Sequence, residues 1–261
     1  MSFALQSVAD PAAPLARRNP VAKLAAALLF ALPLITTLDP LTPALALAIE
    51  LTVLPLFGVR YAVLARRAWP LLVAAAGVLI SLVLFAADRS GRLLVDLGPF
   101  DITSGVLITA LGLILRLFAI SLPGVIVFAT TDPTDLADAL VQNAKAPARF
   151  AIGALAAFRL LPLLGAEWQT LTLARRARGV DTGFRAFPAL AFALLVGALR
   201  RGTRLAVAMD ARGFDSAVPR TYARKQVFSK GDWLLIVGAV ALATLVITTT
   251  VLTGMFRPIL G

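Results

Sequence analysis

Two short motifs in the C-terminal half of the chain have the residue pattern of a recognition site. Ala-Arg-Gly, followed by an apolar residue and an aspartate, occurs twice, and the two copies agree at four of five positions. A glycine just past a helix ends it in the left-handed conformation, and the arginine before it lies where the helix dipole favours a cation. The planar guanidinium can bind a carboxylate through two hydrogen bonds. The residues are Ala177, Arg178 and Gly179 in the first copy, and Ala211, Arg212 and Gly213 in the second.

The repetition of the motif distinguishes it from an ordinary helix cap. One copy alone would be explained by capping, but here each copy ends a long apolar helix. Two equivalent arginine side chains at rigid helix ends predict two equivalent sockets on a partner. Such a partner would be a dimer or a pseudo-dimer, for example a pair of ATPase subunits.

Glu50 and Arg116 are the charged residues that interrupt apolar stretches long enough to cross a membrane. At 1.5 Å per residue they lie about 10 Å and about 16 Å from the outer ends of their spans, which allows an ion pair. Charges within a membrane are costly and usually face protein or water. Snorkelling, solvation at the mouth of the bundle and separate partners are the alternatives. A structural role is favoured over ion transport because no polar path accompanies the two residues.

Five stretches of low charge, two of which contain Glu50 and Arg116, indicate a membrane protein. Of the 261 residues, 59% are hydrophobic and 15% are charged, against about 25% charged in an average soluble domain. The mean hydropathy is +0.88. A helix needs about 20 apolar residues to cross the hydrocarbon core, and the first stretch approaches this length if Lys23 snorkels. The stretches are residues 24–38, 40–59, 68–87, 102–131 and 233–256.

The residue types on which most enzymes depend are missing. The sequence has no cysteine and no histidine, so thiol chemistry is excluded and the commonest acid–base residue and metal ligand is absent. No Gly-rich phosphate-binding loop ending in Gly-Lys-Ser or Gly-Lys-Thr occurs. We therefore expect no catalytic residues, no metal and no cofactor in this chain. The net charge of +11 is explained more simply by basic residues on the inner side of a membrane than by a nucleic-acid partner, and no recognisable nucleic-acid-binding module occurs.

The distribution of basic residues predicts the orientation in the membrane. Most of the 25 lysines and arginines lie in the N-terminal tail, after the second stretch and between residues 131 and 231. Placing these regions in the cytoplasm puts the N-terminus inside and the C-terminus outside. The expected organisation is a tail with four transmembrane helices in 1–130, cytoplasmic helices in 131–231 and a last transmembrane helix in 232–261.

The region between the fourth and fifth stretches is predicted to hold about three helices. An Asp-Pro-Thr-Asp sequence begins the first, and Pro162 is expected to kink the second. The uncharged residues 186–199 of the third suit a buried or interfacial helix. If they crossed the membrane instead, the orientation of the C-terminus would reverse. The helices are expected at about 132–143, 148–178 and 184–212.

The chain resembles the transmembrane coupling (T) component of energy-coupling-factor transporters, the family of EcfT, CbiQ and BioN. The twin Ala-Arg-Gly motif is the most specific feature of the resemblance, which is best between about Thr130 and Asp215. Further matching residues are Thr131 to Leu136, Lys145 to Pro147, Arg159, Pro162 and Glu167.

The resemblance implies an all-α, multi-pass protein of the cell membrane with about five transmembrane helices and a cytoplasmic coupling region. It implies that Arg178 and Arg212 engage grooves of two ABC-type ATPase subunits, a homo- or heterodimer that binds the ATP. A separate membrane-embedded S component would bind the substrate within the lipid bilayer. The chain would then be a non-catalytic subunit that transmits ATPase motion to the S component for uptake of a vitamin or a metal ion.

Two other functions stay open at this point. A stand-alone secondary transporter that uses Glu50 and Arg116 would show internal repeats of spans, and no such repeat is evident. A membrane-embedded enzyme of lipid metabolism would cluster acidic residues at one interface, whereas the acidic residues here are scattered.

Overall fold

Helices make up most of the computed structural model, which confirms the predicted all-α, multi-pass class. It describes residues 13–37, 39–58, 61–86, 91–95, 102–180, 183–214 and 221–254. The helices are α1 (Pro20–Ile35), α2 (Leu41–Val53), α3 (Tyr61–Phe85), α4 (Ser104–Thr130), α5 (Pro133–Gln142), α6 (Ala148–Ala177), α7 (Phe187–Asp210) and α8 (Lys230–Leu252). Short 3-10 turns occupy Leu54–Phe57 and Phe184–Ala186. A small antiparallel pair, β1 (Leu93–Val95) and β2 (Ile102–Thr103), lies before α4 and was not predicted from the sequence.

The chain falls into two compact units. The motif unit, Pro133–Gln226, holds α5, α6 and α7 together with both Ala-Arg-Gly motifs. The bundle unit, formed by Gln6–Asp132 and Val227–Gly261, holds α1 to α4 and α8. In sequence, the motif unit is therefore an insertion between the fourth and fifth helices of the bundle unit.

The core of the bundle unit lies where α1, α2, α4 and α8 pack together. Large apolar side chains alternate there with alanines at the helix crossings. Small residues let helix backbones approach closely, which provides the van der Waals packing that holds membrane helices together. The buried residues of this cluster are Phe30, Leu34, Ala46, Ala119, Ala243 and Val246.

Side-chain caps determine where α1 and α8 begin. Asn19 accepts a hydrogen bond from the backbone N–H of Val21 at 2.9 Å, and Pro20 occupies the first helical position. At the start of α8, Ser229 and Asp232 form a reciprocal capping box. The Asp232 carboxylate, 2% exposed, also accepts the backbone N–H of Asn19 at 2.9 Å. One buried acid therefore joins the start of the first helix to the start of the last.

Lys23 is buried inside the bundle unit. The expectation that it snorkels is wrong, because the residue is 2% exposed. Its ammonium donates to the carbonyl oxygen of Thr130 at 2.9 Å and to Thr131 Oγ1 at 3.3 Å. The last carbonyls of a helix have no partner within that helix, so the end of α4 supplies the acceptors that a buried cation needs.

The number of helices that could span a membrane differs from the prediction of about five. Among the described residues, four helices qualify by length and composition: Leu64–Phe85 within α3, α4, α6 and α8. α1 and α2 have 16 and 13 residues and are shorter. The prediction counted uncharged residues, but the α-helix of the second stretch stops at a 3-10 turn that contains Pro55. α6 reaches the length of a span although the sequence placed it in the cytoplasm.

Side-chain contacts between α6 and α7 hold the motif unit together. Arg201 of α7 forms an ion pair with Glu167 of α6. Gly197 leaves room for this pair, because a Cβ there would lie 3.2 Å from Arg201 Nη2 and from Glu167 Oε1. The ring of Trp168 packs against that of Phe187, with 5.5 Å between the ring centroids. These contacts hold together α6 and α7, the two helices that carry the motifs.

Candidate functional site

The first Ala-Arg-Gly motif ends α6 in a Schellman arrangement. Gly179 has a φ of +70°, the left-handed conformation that the sequence predicted. The N–H of Gly179 donates to the carbonyl of Arg176 at 3.0 Å, and the N–H of Val180 donates to that of Arg175 at 3.1 Å. Two carbonyls that would lack partners at the helix end are thereby satisfied. Arg178 stands between the helix and the glycine, on a backbone that hydrogen bonds hold on both sides.

The second motif repeats this hydrogen-bond pattern at the end of α7. Gly213 has a φ of +69°. Its N–H donates to the carbonyl of Asp210 at 2.9 Å, and the N–H of Phe214 donates to that of Met209 at 3.0 Å. Arg212 therefore has the same position relative to its helix end as Arg178. The repeated residue pattern corresponds to a repeated backbone geometry.

Both arginine side chains are accessible to a partner. Arg178 and Arg212 are exposed, as are the alanine and the glycine beside each of them. Neither forms an ion pair with another residue in the described ranges. The aspartates that complete the motifs, Asp181 and Asp215, lie outside the described residues. An exposed guanidinium at a fixed helix end is suited to bind a carboxylate through two parallel hydrogen bonds.

The two helix ends differ in the charges around the arginine. Arg175 and Arg176 precede the motif in α6, whereas Met209 and Asp210 occupy the corresponding positions in α7. The helix dipole favours cations in the last turn and disfavours anions. The end of α6 is therefore strongly basic, while Asp210 offsets the positive charge at the end of α7.

A clip between α5 and the segment that leads to α8 is a contact that the sequence did not reveal. The Gln142 side chain donates from Nε2 to the carbonyl of Arg224 at 2.8 Å and accepts the N–H of Gln226 at 2.9 Å. The amide of Asn143 donates to the carbonyl of Gln226 at 3.2 Å, and Arg224 forms an ion pair with Asp135 at 3.4 Å. The amide of one glutamine can thus satisfy both a carbonyl and an N–H of the segment before α8. Glutamine at a helix end is too common for this role to be recognised from sequence.

Glu50 and Arg116 do not form the ion pair that their expected depths allowed. Arg116 donates a hydrogen bond to the carbonyl of Ile35 at the end of α1, where carbonyls have no partner within the helix. Both carboxylate oxygens of Glu50 are shielded from solvent and accept no hydrogen bond within the described part of the chain. Glu50 instead lines a cavity in the bundle unit. The structure thus separates the two charges on which a stand-alone transporter would depend.

The geometry of the site suits binding. Across the ranges that the structure describes, no group of three or more acidic side chains could hold a metal ion. The arrangement at the two helix ends consists of exposed guanidinium groups and satisfied backbone. Guanidinium groups held in this way are suited to recognise acidic groups on another molecule.

Comparison with known proteins finds similar membrane transport components. The sequence model of the CbiQ family, described as cobalt transport protein, matches residues 12–223. The chain is 34% identical over 166 residues to the energy-coupling factor transporter transmembrane protein EcfT of Limosilactobacillus fermentum, covering 58% of this chain and 60% of that protein. It is 34% identical over 154 residues to the EcfT protein of Leuconostoc gelidum, covering 54% of this chain and 58% of the relative.

A relative of a different kind carries a similar segment within a longer protein. A putative ABC transporter ATP-binding protein of Bifidobacterium longum is 28% identical over 169 residues, which cover 59% of this chain and 22% of that protein. The chain spans 60% and 58% of the lengths of the two EcfT proteins that it matches.

Proposed function

The chain belongs to the CbiQ family of cobalt transport proteins, and from this premise we propose that it is the transmembrane coupling component of an ATP-driven importer of the energy-coupling-factor type. In this function it catalyses no reaction and holds no cofactor. Two ABC-type ATPase subunits bind the ATP, and a membrane-embedded S component binds a vitamin or a metal ion. The names of the EcfT relatives support the transporter type.

The observation that carries the proposal is the repeated helix end. Arg178 and Arg212 occupy the same position in two Schellman arrangements, and both are exposed. Two ATPase subunits present two equivalent grooves, so each arginine binds an acidic group in one of them. The match to a segment of a protein named for ATP binding supports an association of such chains with ATPases.

Motion at the ATPases reaches the membrane through α6 and α7. The Arg201–Glu167 ion pair and the contact of Trp168 with Phe187 join the two helices, so a displacement of one arginine end moves both. α7 also exposes large apolar side chains that suit a second membrane protein. We assign this apolar face, which includes Phe192, Leu195 and Leu199, to contact with the S component.

The proposed orientation places the N-terminus and the motif unit on the cytoplasmic side and the C-terminus outside. The positive-inside rule supports this arrangement. α6 is long enough to span a membrane, but two of its charged residues contact the other helices of the motif unit. Arg159 donates to Thr134 at 3.5 Å, and Glu167 pairs with Arg201. We therefore propose that α6 lies along the cytoplasmic surface of the bilayer.

Reconstitution tests the function directly. The chain is to be co-expressed with the ATPase subunits and the small membrane protein that co-purify with it from native membranes, and the complex placed in vesicles. ATP-dependent uptake that disappears when this chain is omitted supports a coupling component. Uptake by this chain alone, driven by an ion gradient, would contradict the proposal and favour a secondary transporter.

A further inference from the structure

A cavity of about 340 Å³ in the bundle unit has no part in the coupling function proposed above. It is bounded by α1, α2, α4 and α8 and by the turn before α1. Its volume falls within the range of about 300–1,000 Å³ that is typical of ligand sites. The lining is apolar except for a few charged residues, which are Arg18, Lys23 and Glu50.

The extent of the cavity along α8 suits an extended apolar chain. Its lining on α8 runs from Gly231 to Leu242. This length of helix is about 17 Å, close to half of the roughly 30 Å hydrocarbon core of a bilayer. The cavity is partly open, and Leu234 of α8, which belongs to its wall, is 73% exposed. An acyl chain of one leaflet could therefore enter from the lipid side.

Arg18 places a positive charge at one end of this cavity. Its guanidinium lies against Gly231, and a Cβ at that position would collide with it. Asp232 interacts electrostatically with Arg18. Both carboxylate oxygens of Asp232, however, already accept hydrogen bonds, one from Asn19 and the other from Ser229. The start of α8 thus holds a cation that can receive a phosphate.

Glu50 adds an acidic group without a partner to the same lining. Its two carboxylate oxygens are shielded from solvent and accept no hydrogen bond from any residue that the structure describes. Lys23 also lines the cavity, but its ammonium donates to the end of α4. A carboxylate shielded in apolar surroundings is costly unless it takes up a proton or a donor or a cation approaches it.

We propose that the cavity binds one membrane phospholipid with a primary ammonium headgroup. An acyl chain lies along α8, the phosphate binds Arg18, and the ammonium donates a hydrogen bond to Glu50. Phosphatidylethanolamine has this combination of groups. Phosphatidylglycerol has no ammonium, and the quaternary ammonium of phosphatidylcholine has no N–H to donate.

Lipid retention by the full-length protein tests the headgroup assignment. The chain is purified in mild detergent, mixed with equal amounts of dioleoyl-phosphatidylethanolamine, -phosphatidylcholine and -phosphatidylglycerol, and examined by native mass spectrometry. We expect one phosphatidylethanolamine per chain to be preferred about tenfold, and Glu50→Gln to remove that preference, since a hydrogen bond to a charged group is lost. Arg18→Gln lowers retention of all three lipids, whereas Arg17→Gln, at the exposed neighbouring position, leaves it unchanged.

A second variant tests the cavity without altering its charges. Gly238 lines the cavity, and a Cβ added to it would meet no atom within 4 Å, so Gly238→Leu adds an apolar side chain at an open position of the lining. Gly77 on α3 has the same free space but does not line the cavity, which makes Gly77→Leu the matched control. Gel filtration and circular dichroism verify folding. Equal retention of the three lipids by the wild type, or unchanged phosphatidylethanolamine retention in Gly238→Leu, would overturn the proposal.

Discussion

The ends of α6 and α7 have the same backbone and different charges. Each helix ends in a Schellman arrangement with a glycine in the left-handed conformation, where φ is +70° for Gly179 and +69° for Gly213. Arg178 follows two further arginines, whereas Arg212 follows Met209 and Asp210. The glycines therefore determine how each arginine is presented, and the neighbouring residues determine the electrostatic field around it. Two sites of equal shape can in this way bind acidic grooves with unequal strength.

If both arginines bind one pair of ATPase subunits, the ends of α6 and α7 must lie on the same side of the membrane. The chain has no native cysteine, so single cysteines can be introduced at the equivalent exposed positions Ala174 and Ala208. We expect a membrane-impermeant maleimide to label both completely in inside-out vesicles and neither in right-side-out vesicles. A cysteine at Thr253 provides the control and should show the opposite pattern. Labelling of Ala174→Cys and Ala208→Cys from opposite sides would show that one of the helices crosses the bilayer.

Reversing one charge at a time should reveal the inequality of the two ends. Arg212→Glu leaves two acidic residues and no cation at its helix end, whereas Arg178→Glu leaves Arg175 and Arg176 in place. Losing one charge-assisted contact costs about 2–5 kcal/mol at a buried interface, so each reversal should weaken ATPase binding tens-fold or more. We expect the loss to be larger for Arg212→Glu.

Biolayer interferometry on the protein in nanodiscs measures these affinities. Arg204→Glu reverses an exposed charge on α7 outside the motif and should bind the ATPases like the wild type. A larger loss for Arg178→Glu than for Arg212→Glu would refute the assigned role of the neighbouring charges.

Substituting the glycines tests the shared backbone and should affect both ends equally. A side chain in the left-handed conformation costs about 1–2 kcal/mol, and Gly179 has open space around it, so the cost of Gly179→Ala comes from the backbone alone. We expect a similar loss of unfolding free energy for Gly213→Ala. Gly202→Ala, within α7 and also in open space, should instead stabilise the protein by up to about 1 kcal/mol. Chemical denaturation compares the three variants, and a clear difference between the two motif glycines would mean that the ends are not equivalent in backbone.

Removing the charge of Asp210 should make the end of α7 electrostatically more similar to the end of α6. An anion in the last turn opposes the helix dipole, so Asp210→Asn should add about 0.3–1 kcal/mol to stability. We expect ATPase binding to strengthen a few-fold, and the gain to shrink at high salt because exposed charges are screened. Weaker binding of Asp210→Asn would indicate that Asp210 itself contacts the ATPase.

The helix ends were predictable because their determinants are local. Glycine after an apolar helix and arginine before it are read directly from adjacent residues, and both left-handed glycines are confirmed. The role of the two arginines in binding stays a prediction. The all-α, multi-pass class was equally accessible, because hydrophobic composition alone indicates it.

The partners of Lys23 and Arg116 could not be predicted, because they depend on which helix ends come together. Lys23 binds the end of α4, and Arg116 binds the end of α1. The expected depths of Arg116 and Glu50 in the membrane allowed the two residues to pair. Arg116 instead donates to the carbonyl of Ile35, which has no partner within its own helix. Composition likewise fails to distinguish a surface helix from a span, and α6 meets the criteria of a span.

The most direct test of the coupling function is uptake by the complete complex with both motif arginines reversed. Arg178→Glu combined with Arg212→Glu should insert into the membrane normally and abolish ATP-dependent uptake in reconstituted vesicles, with the ATPases released or hydrolysing ATP without transport. Arg200→Glu combined with Arg204→Glu, an equal change of charge at exposed positions of α7, should retain uptake. Uptake at the wild-type rate by the double motif variant would contradict the account and leave both motifs as plain helix caps.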